Sequence, residues 1–180
     1  MRFLKAFLLA VLLFPVELAT HEVMHLAVYS ALGVRASLVV TSWHLGTLGT
    51  PIFGLHAAPA DPAAVSLRVL LINNGTGPLL AALLLGVLWA AIDRRSRVAR
   101  AALLANLCAL LFFSGIELAY PLLEEVGHVD ADVLLLPELN YGSVLLIMLV
   151  TTAAATWPRS GGFRLTPSGR RWFGVGARQT

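Results

Sequence analysis

The chain has 180 residues, of which 58% are hydrophobic and only 13% are charged, and its mean hydropathy is +0.80. Soluble domains average roughly 45–50% apolar and about 25% charged residues, so this composition excludes an ordinary soluble domain and is typical of a membrane protein. The formal net charge of +3 comes without a basic block interleaved with aromatic residues, which argues against a nucleic-acid partner. The single cysteine, Cys108, excludes a disulfide framework.

The first apolar segment runs from about residue 3 to residue 32 and is long enough to cross a bilayer core, which needs about 20 residues. It carries polar residues where a secretory signal would have its cleavage site, so we interpret it as a retained span. Gly33 is the expected stop. Polar residues recur at every fourth position and predict a stripe that faces the interior of a helix bundle: Glu17, His21, His25 and Tyr29.

Within this segment, residues 21–25 read HEVMH, which is the H-E-x-x-H pattern. Residues four apart lie on one face of a helix, so the imidazoles of His21 and His25 can reach one metal ion. Glu22 is then placed to act as the general base on a water at that ion. The predicted ion is Zn²⁺, and a catalytic zinc site needs a third protein ligand from elsewhere in the chain.

Residues 37–45 (SLVVTSWHL) are rich in β-branched and aromatic side chains, and glycines and prolines follow them. This stretch predicts two short strands or a hairpin that lies against the membrane. The second span, at about 69–92, contains Asn73, Asn74 and Pro78 in an apolar run. Two interpretations stay open: a closely packed or locally irregular stretch buried in protein, or a helix that begins at Pro78 with the asparagines as caps.

The sequence therefore predicts an all-α membrane protein with about four transmembrane helices and a short membrane-associated, hairpin-like segment after the first. The predicted spans are at about 3–32, 69–92, 99–120 and 141–157, within one domain of residues 1–157, and a basic, mobile tail follows at 158–180. Lysines and arginines lie almost entirely on one side of this arrangement, with only Arg35 and Arg68 on the other. The positive-inside rule then predicts that both termini are cytoplasmic.

The third ligand is expected from the acidic stretch between the third and fourth spans, on the same side of the membrane as His21 and His25. Asp130 and Asp132, in the sequence GHVDADVL, are the main candidates. Weaker candidates are Glu117, Glu124 and His128.

Residues 17–33, followed by Val34, Arg35 and the strand-like residues 37–45, resemble the opening of the site-2 protease family of intramembrane zinc metallopeptidases. Gly77-Pro78 has a counterpart in a later span of that family. The resemblance implies a divergent, M50-like member whose third zinc ligand is an aspartate in a later helix. Asp130 is the nearest match to that aspartate, and Asp132 is the alternative, because Ala131 stands where the family has glycine.

The implied function is hydrolysis of peptide bonds in membrane-associated protein or peptide substrates, with zinc-activated water and Glu22 as general base. The family's asparagine after Gly-Pro is absent, and Asn73 or Asn74 is predicted to bind substrate in its place. Residues 37–45 are expected to hold an extended substrate by strand addition. Two alternatives stay open: a catalytically inactive zinc-binding regulator of the same fold, and a small membrane transporter or scaffold subunit.

Overall fold

The computed structural model describes residues 1–45, 50–126 and 137–157, so the predicted tail at 158–180 lies outside the described residues. Within them the chain forms four α-helices and one two-stranded sheet, in the order α1 (Arg2–Ala31), β1 (Ala36–Leu45), β2 (Thr50–Pro59), α2 (Leu67–Ala91), α3 (Arg97–Val126) and α4 (Pro137–Thr156). Among these helices, α1, α2 and α3 are long and apolar enough to cross a membrane, whereas the apolar part of α4 is shorter, Asn140–Thr156. The predicted helical fold and the pair of strands after the first helix are confirmed, and three of the four predicted spans have the length and composition that crossing a membrane requires.

The end of α1 follows from Gly33. This glycine has a φ of +74°, a left-handed conformation that residues with a Cβ adopt only at a cost. Its N–H donates to the Ser30 carbonyl at 3.1 Å, and the Val34 N–H donates to the Tyr29 carbonyl at 2.9 Å. These two bonds satisfy the last carbonyls of the helix and turn the chain towards β1.

The strands β1 and β2 pair antiparallel, from Ala36 opposite Pro59 to Leu45 opposite Thr50. Just beyond this ladder, the Ala60 N–H donates to the Arg35 carbonyl at 2.8 Å. Because successive residues of a strand alternate in direction, the N–H groups of Leu55 and Ala57 point away from β1. The β2 strand therefore presents an outer edge, and α1 packs against both strands.

The first half of α1 packs through small side chains. Ala10 lies in a fully buried cluster with residues of α3 and α4, namely Ala102, Ala105, Ala109, Val144 and Met148. Small side chains let helix backbones approach closely. Asn106 joins the same interface, since its side-chain amide donates to the Ala10 carbonyl at 3.2 Å. This half of the bundle fixes how α1, α3 and α4 sit together.

The α2 helix is continuous through the asparagines and the proline for which the sequence left two interpretations open. It begins after Ser66, whose hydroxyl accepts from the Val69 N–H at 3.3 Å, and it passes without interruption through Asn73 and Pro78. The expectation of a helix that begins at Pro78 is therefore wrong, because the Ser66 cap sets the start earlier. The expectation of a local irregularity is also wrong, because the helix continues from Leu67 to Ala91 without a break. The expected close packing is confirmed, since Asn73, Gly77 and Pro78 are buried.

Candidate metal centre

The two histidines of the H-E-x-x-H pattern meet a glutamate of α3. His21 Nε2 lies 2.8 Å from Glu117 Oε1, and His25 Nε2 lies 3.0 Å from Glu117 Oε2. The two Nε2 atoms are themselves 3.0 Å apart. These three residues, called the His–His–Glu cluster below, form a possible metal-binding triad.

The fold brings these residues to one level. Both α1 and α3 begin at the same end of the bundle, where Arg2 and Arg97 line one cavity, and they pack against each other. The H-E-x-x-H pattern lies about two thirds of the way along α1, and Glu117 lies about two thirds of the way along α3. Helical spacing of four places both imidazoles on the face of α1 that α3 covers.

The cluster is closed on the histidine side and more open on the glutamate side. The side chains of His21 and His25 are 3% and 6% exposed, whereas that of Glu117 is 26% exposed. The cluster is therefore mostly buried, and Glu117 is its most exposed member.

Glu22 stands beside the cluster and is held there by the sheet. Its Oε1 lies 3.8 Å from His21 Nε2, and its Oε2 accepts a hydrogen bond of 2.7 Å from the Ala57 N–H. That N–H belongs to the outer edge of β2, so the strand orients the carboxylate. Glu22 thus has the position that a proton acceptor next to a metal centre needs.

The α2 helix covers the cluster from a third direction. The side-chain amide of Asn73 lies 3.0 Å from His25 Nδ1, and that of Asn74 donates to the Glu117 backbone carbonyl at 2.8 Å. A Cβ built on Gly77 would lie 2.7 Å from His25 Nδ1. A side chain at this position would force the imidazole ring to shift, because the helix backbone lies directly against it.

The donor set fits zinc. Two histidines and one glutamate are a combination that catalytic zinc sites use, with bonds of about 2.0–2.2 Å, so ligand atoms at the corners of a tetrahedron lie about 3.3 Å apart. The two Nε2 atoms are 3.0 Å apart, and each lies 2.8 or 3.0 Å from a different oxygen of Glu117. One ligand atom from each residue lies within 4.8 Å of the others, so small side-chain movements would bring the three atoms to the spacing that an ion needs.

Comparison with protein-family models, with curated proteins and with solved structures finds no match to this chain. The resemblance to site-2 proteases therefore remains a hypothesis that is based on the residues themselves.

The ligands and contacts expected from the sequence fall into two groups. His21, Glu22 and His25 come together as expected, whereas Asp130, its alternative Asp132 and also His128 lie outside the described residues and remain predictions. Glu117, a weaker candidate in the sequence, joins the cluster, while Glu124 is exposed.

One sequence signal could have favoured Glu117. It is an acidic residue within an apolar span, where a charge is costly unless it is paired or functional.

The predicted substrate contacts of Asn73 and Asn74 also remain predictions. The contacts that the structure gives these two amides are to His25 and to the Glu117 backbone.

Proposed function

We propose that the protein is a multi-pass, membrane-embedded zinc metallopeptidase of the site-2 protease type, which hydrolyses peptide bonds of membrane-associated proteins or peptides. One observation carries the proposal: His21 and His25 converge with Glu117, and the carboxylate of Glu22 stands beside them. That combination provides three ligands and a proton acceptor at one place in a helix bundle.

Membrane embedding is supported by the surface of the helices. Three of them are long and apolar enough to span a bilayer, and large apolar side chains point outward along these three, including Leu12, Val16, Leu83, Val87 and Leu111. Soluble proteins rarely expose an apolar surface of this extent to water, whereas such a surface is favourable in contact with lipid. In this proposal both termini are cytoplasmic, and the arginine-rich helix ends support that orientation through the positive-inside rule.

In this proposal His21, His25 and Glu117 hold Zn²⁺. When bound there, Zn²⁺ supplies Lewis-acid chemistry, which polarises the scissile carbonyl and activates water as a nucleophile. Asp130 and Asp132 stay the alternative source of the third ligand, and separate variants distinguish them from Glu117, as described in the Discussion.

Glu22 acts as the general base and then as the general acid. Its carboxylate takes a proton from the attacking water and delivers it to the nitrogen of the leaving amine, so that the proton count balances across the reaction. The Ala57 N–H occupies Oε2, which leaves Oε1, on the side of His21 Nε2, as the atom that exchanges the proton.

The substrate is proposed to bind as an extended strand at the outer edge of β2. The sequence favoured β1 for this role, but it is the β2 edge that reaches Glu22, through Ala57. Leu55 presents the next outward N–H along that edge. A Leu55→Pro variant removes this N–H without removing a β1–β2 hydrogen bond. We expect it to raise KM several-fold relative to Leu55→Ala, and an unchanged KM would rule out pairing at this edge.

The experiment that tests the proposal compares wild type with Glu22→Gln, His21→Ala and Glu17→Gln in purified, full-length protein. Zinc content is measured by mass spectrometry, and cleavage is measured on a library of membrane peptides. Glu22→Gln should retain zinc and lose cleavage by about 100- to 10,000-fold, the usual contribution of a general base. His21→Ala should lose zinc.

Glu17→Gln is the matched control, since Glu17 is a buried glutamate on the same helix, one turn before His21, and is not one of the three residues of the cluster. It should retain both zinc and cleavage. A wild type that binds zinc but cleaves nothing in the library would favour the regulator over the protease. A wild type without zinc would remove the metal site altogether.

A further inference from the structure

The side chain of Asn73 contains a polar atom without an obvious role. Asn73 is 2% exposed, and its Nδ2 faces His25 Nδ1 at 3.0 Å. Its Oδ1 is buried and has no hydrogen-bond partner among the described residues. A buried carbonyl oxygen without a partner is costly, so this atom calls for an explanation.

The position of the proton on the His25 imidazole suggests an explanation for the unpartnered Oδ1 of Asn73. A neutral imidazole carries one proton, so when the amide N–H of Asn73 donates to Nδ1, the proton must be on Nε2. The protonated Nε2 can then donate to Glu117 Oε2, 3.0 Å away. In this arrangement both ring nitrogens of His25 are hydrogen-bonded without an ion, at Nδ1 to Asn73 and at Nε2 to Glu117, but Nε2 has no lone pair left for a metal.

We propose that Asn73 is the positioning residue of His25: in the zinc-bound protein it presents Oδ1, in place of Nδ2, to a proton on Nδ1. This inference rests on the proposed zinc site. A half-turn of the side-chain amide exchanges its oxygen and nitrogen while leaving the shape of the side chain almost unchanged. The exchange gives Oδ1 a partner on His25 and moves Nδ2 to the position that Oδ1 held. The imidazole proton is then on Nδ1, and the Nε2 lone pair is free for the ion.

The packing around His25 makes the amide the part that rotates. A Cβ at Gly77 would lie within 3.0 Å of three atoms of the ring, Nδ1, Cε1 and Cγ, so the α2 backbone confines the imidazole. The neighbouring Asn74 fastens α2 to the Glu117 carbonyl at 2.8 Å. Ring and helix are thus both held, whereas the amide of Asn73 needs only a rotation about its own bond.

Two substitutions separate the roles of the amide oxygen and nitrogen. Asn73→Asp keeps an acceptor of the same size and removes the donor, whereas Asn73→Leu removes both. Zinc affinity is measured on the full-length protein by competition with a chromophoric chelator. We expect Asn73→Leu to bind zinc about 10- to 100-fold more weakly, and Asn73→Asp to stay within about threefold of wild type or bind more tightly.

The matched control is Asn106→Leu, which removes another fully buried asparagine, one that bonds to the Ala10 and Ala102 carbonyls far from the cluster. Its zinc affinity should equal that of wild type. If Asn73→Asp weakens zinc binding as much as Asn73→Leu does, the amide nitrogen is the group that matters and the inference is overturned. Unchanged affinity in Asn73→Leu also overturns it.

A spectroscopic measurement on wild type makes the test independent of how the variants fold. The ¹⁵N chemical shifts of labelled histidine distinguish a proton on Nδ1 from one on Nε2, and the His25 signals are identified by their loss in His25→Ala. Zinc addition should move the His25 proton from Nε2 to Nδ1. Zinc binding with the proton still on Nε2 overturns this inference alone, whereas a wild type that binds no zinc overturns the proposed function with it.

Discussion

The two halves of α1 are built by different means. In the first half, Ala6 and Ala10 are completely buried, and the fully buried residues that α1 shares with α3 and α4 are mostly alanines. In the second half the buried residues include Glu17, His21, Glu22 and His25, and the contacts are hydrogen bonds to α2, α3 and β2. One helix therefore passes from a close-packed apolar interface into a polar one.

For the membrane-embedded protein proposed above, the difference matters because apolar side chains gain little free energy when they leave lipid for a protein interface. Helices in a bilayer associate through close packing and through hydrogen bonds across the interface. The alanine interface can supply the packing that holds α1 against α3, so the polar interface is free to hold ligand atoms in an arrangement chosen for chemistry. Substitutions of residues that touch the His–His–Glu cluster in the polar half should then change zinc binding, and substitutions in the apolar half should change stability.

The largest effect is expected from Glu117→Gln in the polar half. The amide keeps the shape of the side chain but loses the charge that attracts a cation and faces both imidazoles. Removing partners of zinc ligands typically costs 10–100-fold in metal affinity, so losing a ligand charge should weaken zinc binding by at least about 100-fold. Chelator competition measures the affinity, and circular dichroism on heating should show a bundle that remains folded.

The corresponding variants Asp130→Asn and Asp132→Asn test the choice of third ligand made from the sequence. If Glu117 is the ligand, both variants should bind zinc as tightly as wild type. Loss of zinc in Asp130→Asn, together with retention in Glu117→Gln, would return the role to the aspartate.

In the apolar half, Ala105→Leu should destabilise the bundle. Ala105 is completely buried at the packed interface, and adding a larger side chain to a close-packed site typically costs about 1–3 kcal/mol. The thermal midpoint in detergent should fall, whereas zinc affinity below that midpoint should be unchanged. Ala154→Leu is the control, because Ala154 is exposed on α4. Equal midpoints for the two variants would mean that the alanine interface does not hold the bundle together.

The same contrast explains what the sequence could predict. The H-E-x-x-H pattern and the glycine stop of α1 are local, since helical spacing places His21 beside His25 and a left-handed residue is needed at Gly33. The third member of the cluster depends on how far along α3 Glu117 lies relative to His21. That level is set by alanine packing between distant segments, which no local pattern encodes.

Two further features were out of reach for related reasons. The Ala57 N–H that holds Glu22 is a backbone group, so the identity of residue 57 carries no signal for it. The continuity of α2 through Asn73 and Pro78 reflects partners in other helices, since His25 and Glu117 receive the two asparagine amides. Tertiary contacts of this kind stabilise polar residues inside a helix at positions where the local sequence pattern predicts a break.

Gly77→Ala tests the closest contact in the polar half. The added Cβ would lie 2.7 Å from His25 Nδ1, and the ring must shift to relieve that contact. We expect a loss in zinc affinity of about tenfold, at the lower end of the effect of disturbing the surroundings of a ligand. Gly86→Ala is the matched control on the same helix, because its Cβ would meet no described atom within 4 Å. If the two variants bind zinc equally, the contact between α2 and His25 is looser than the distance implies.

The smallest effect is expected where the polar half of α1 ends. Gly33→Ala puts a Cβ on a residue with a φ of +74°, which should lower the free energy of unfolding by about 1 kcal/mol. Zinc affinity should not change, because the three residues of the His–His–Glu cluster lie on α1 and α3 and none of them lies in the turn at Gly33 or in the sheet. Gly142→Ala, at a helical glycine of α4 with no described atom within 4 Å of the added Cβ, is the control and should be neutral or slightly stabilising.

Thermal midpoints measure the change in stability, and chelator competition measures the zinc affinity. Weakened zinc binding in Gly33→Ala with an unchanged midpoint would mean that the turn at Gly33 helps to set the ligand geometry, and the polar half would then extend into the sheet.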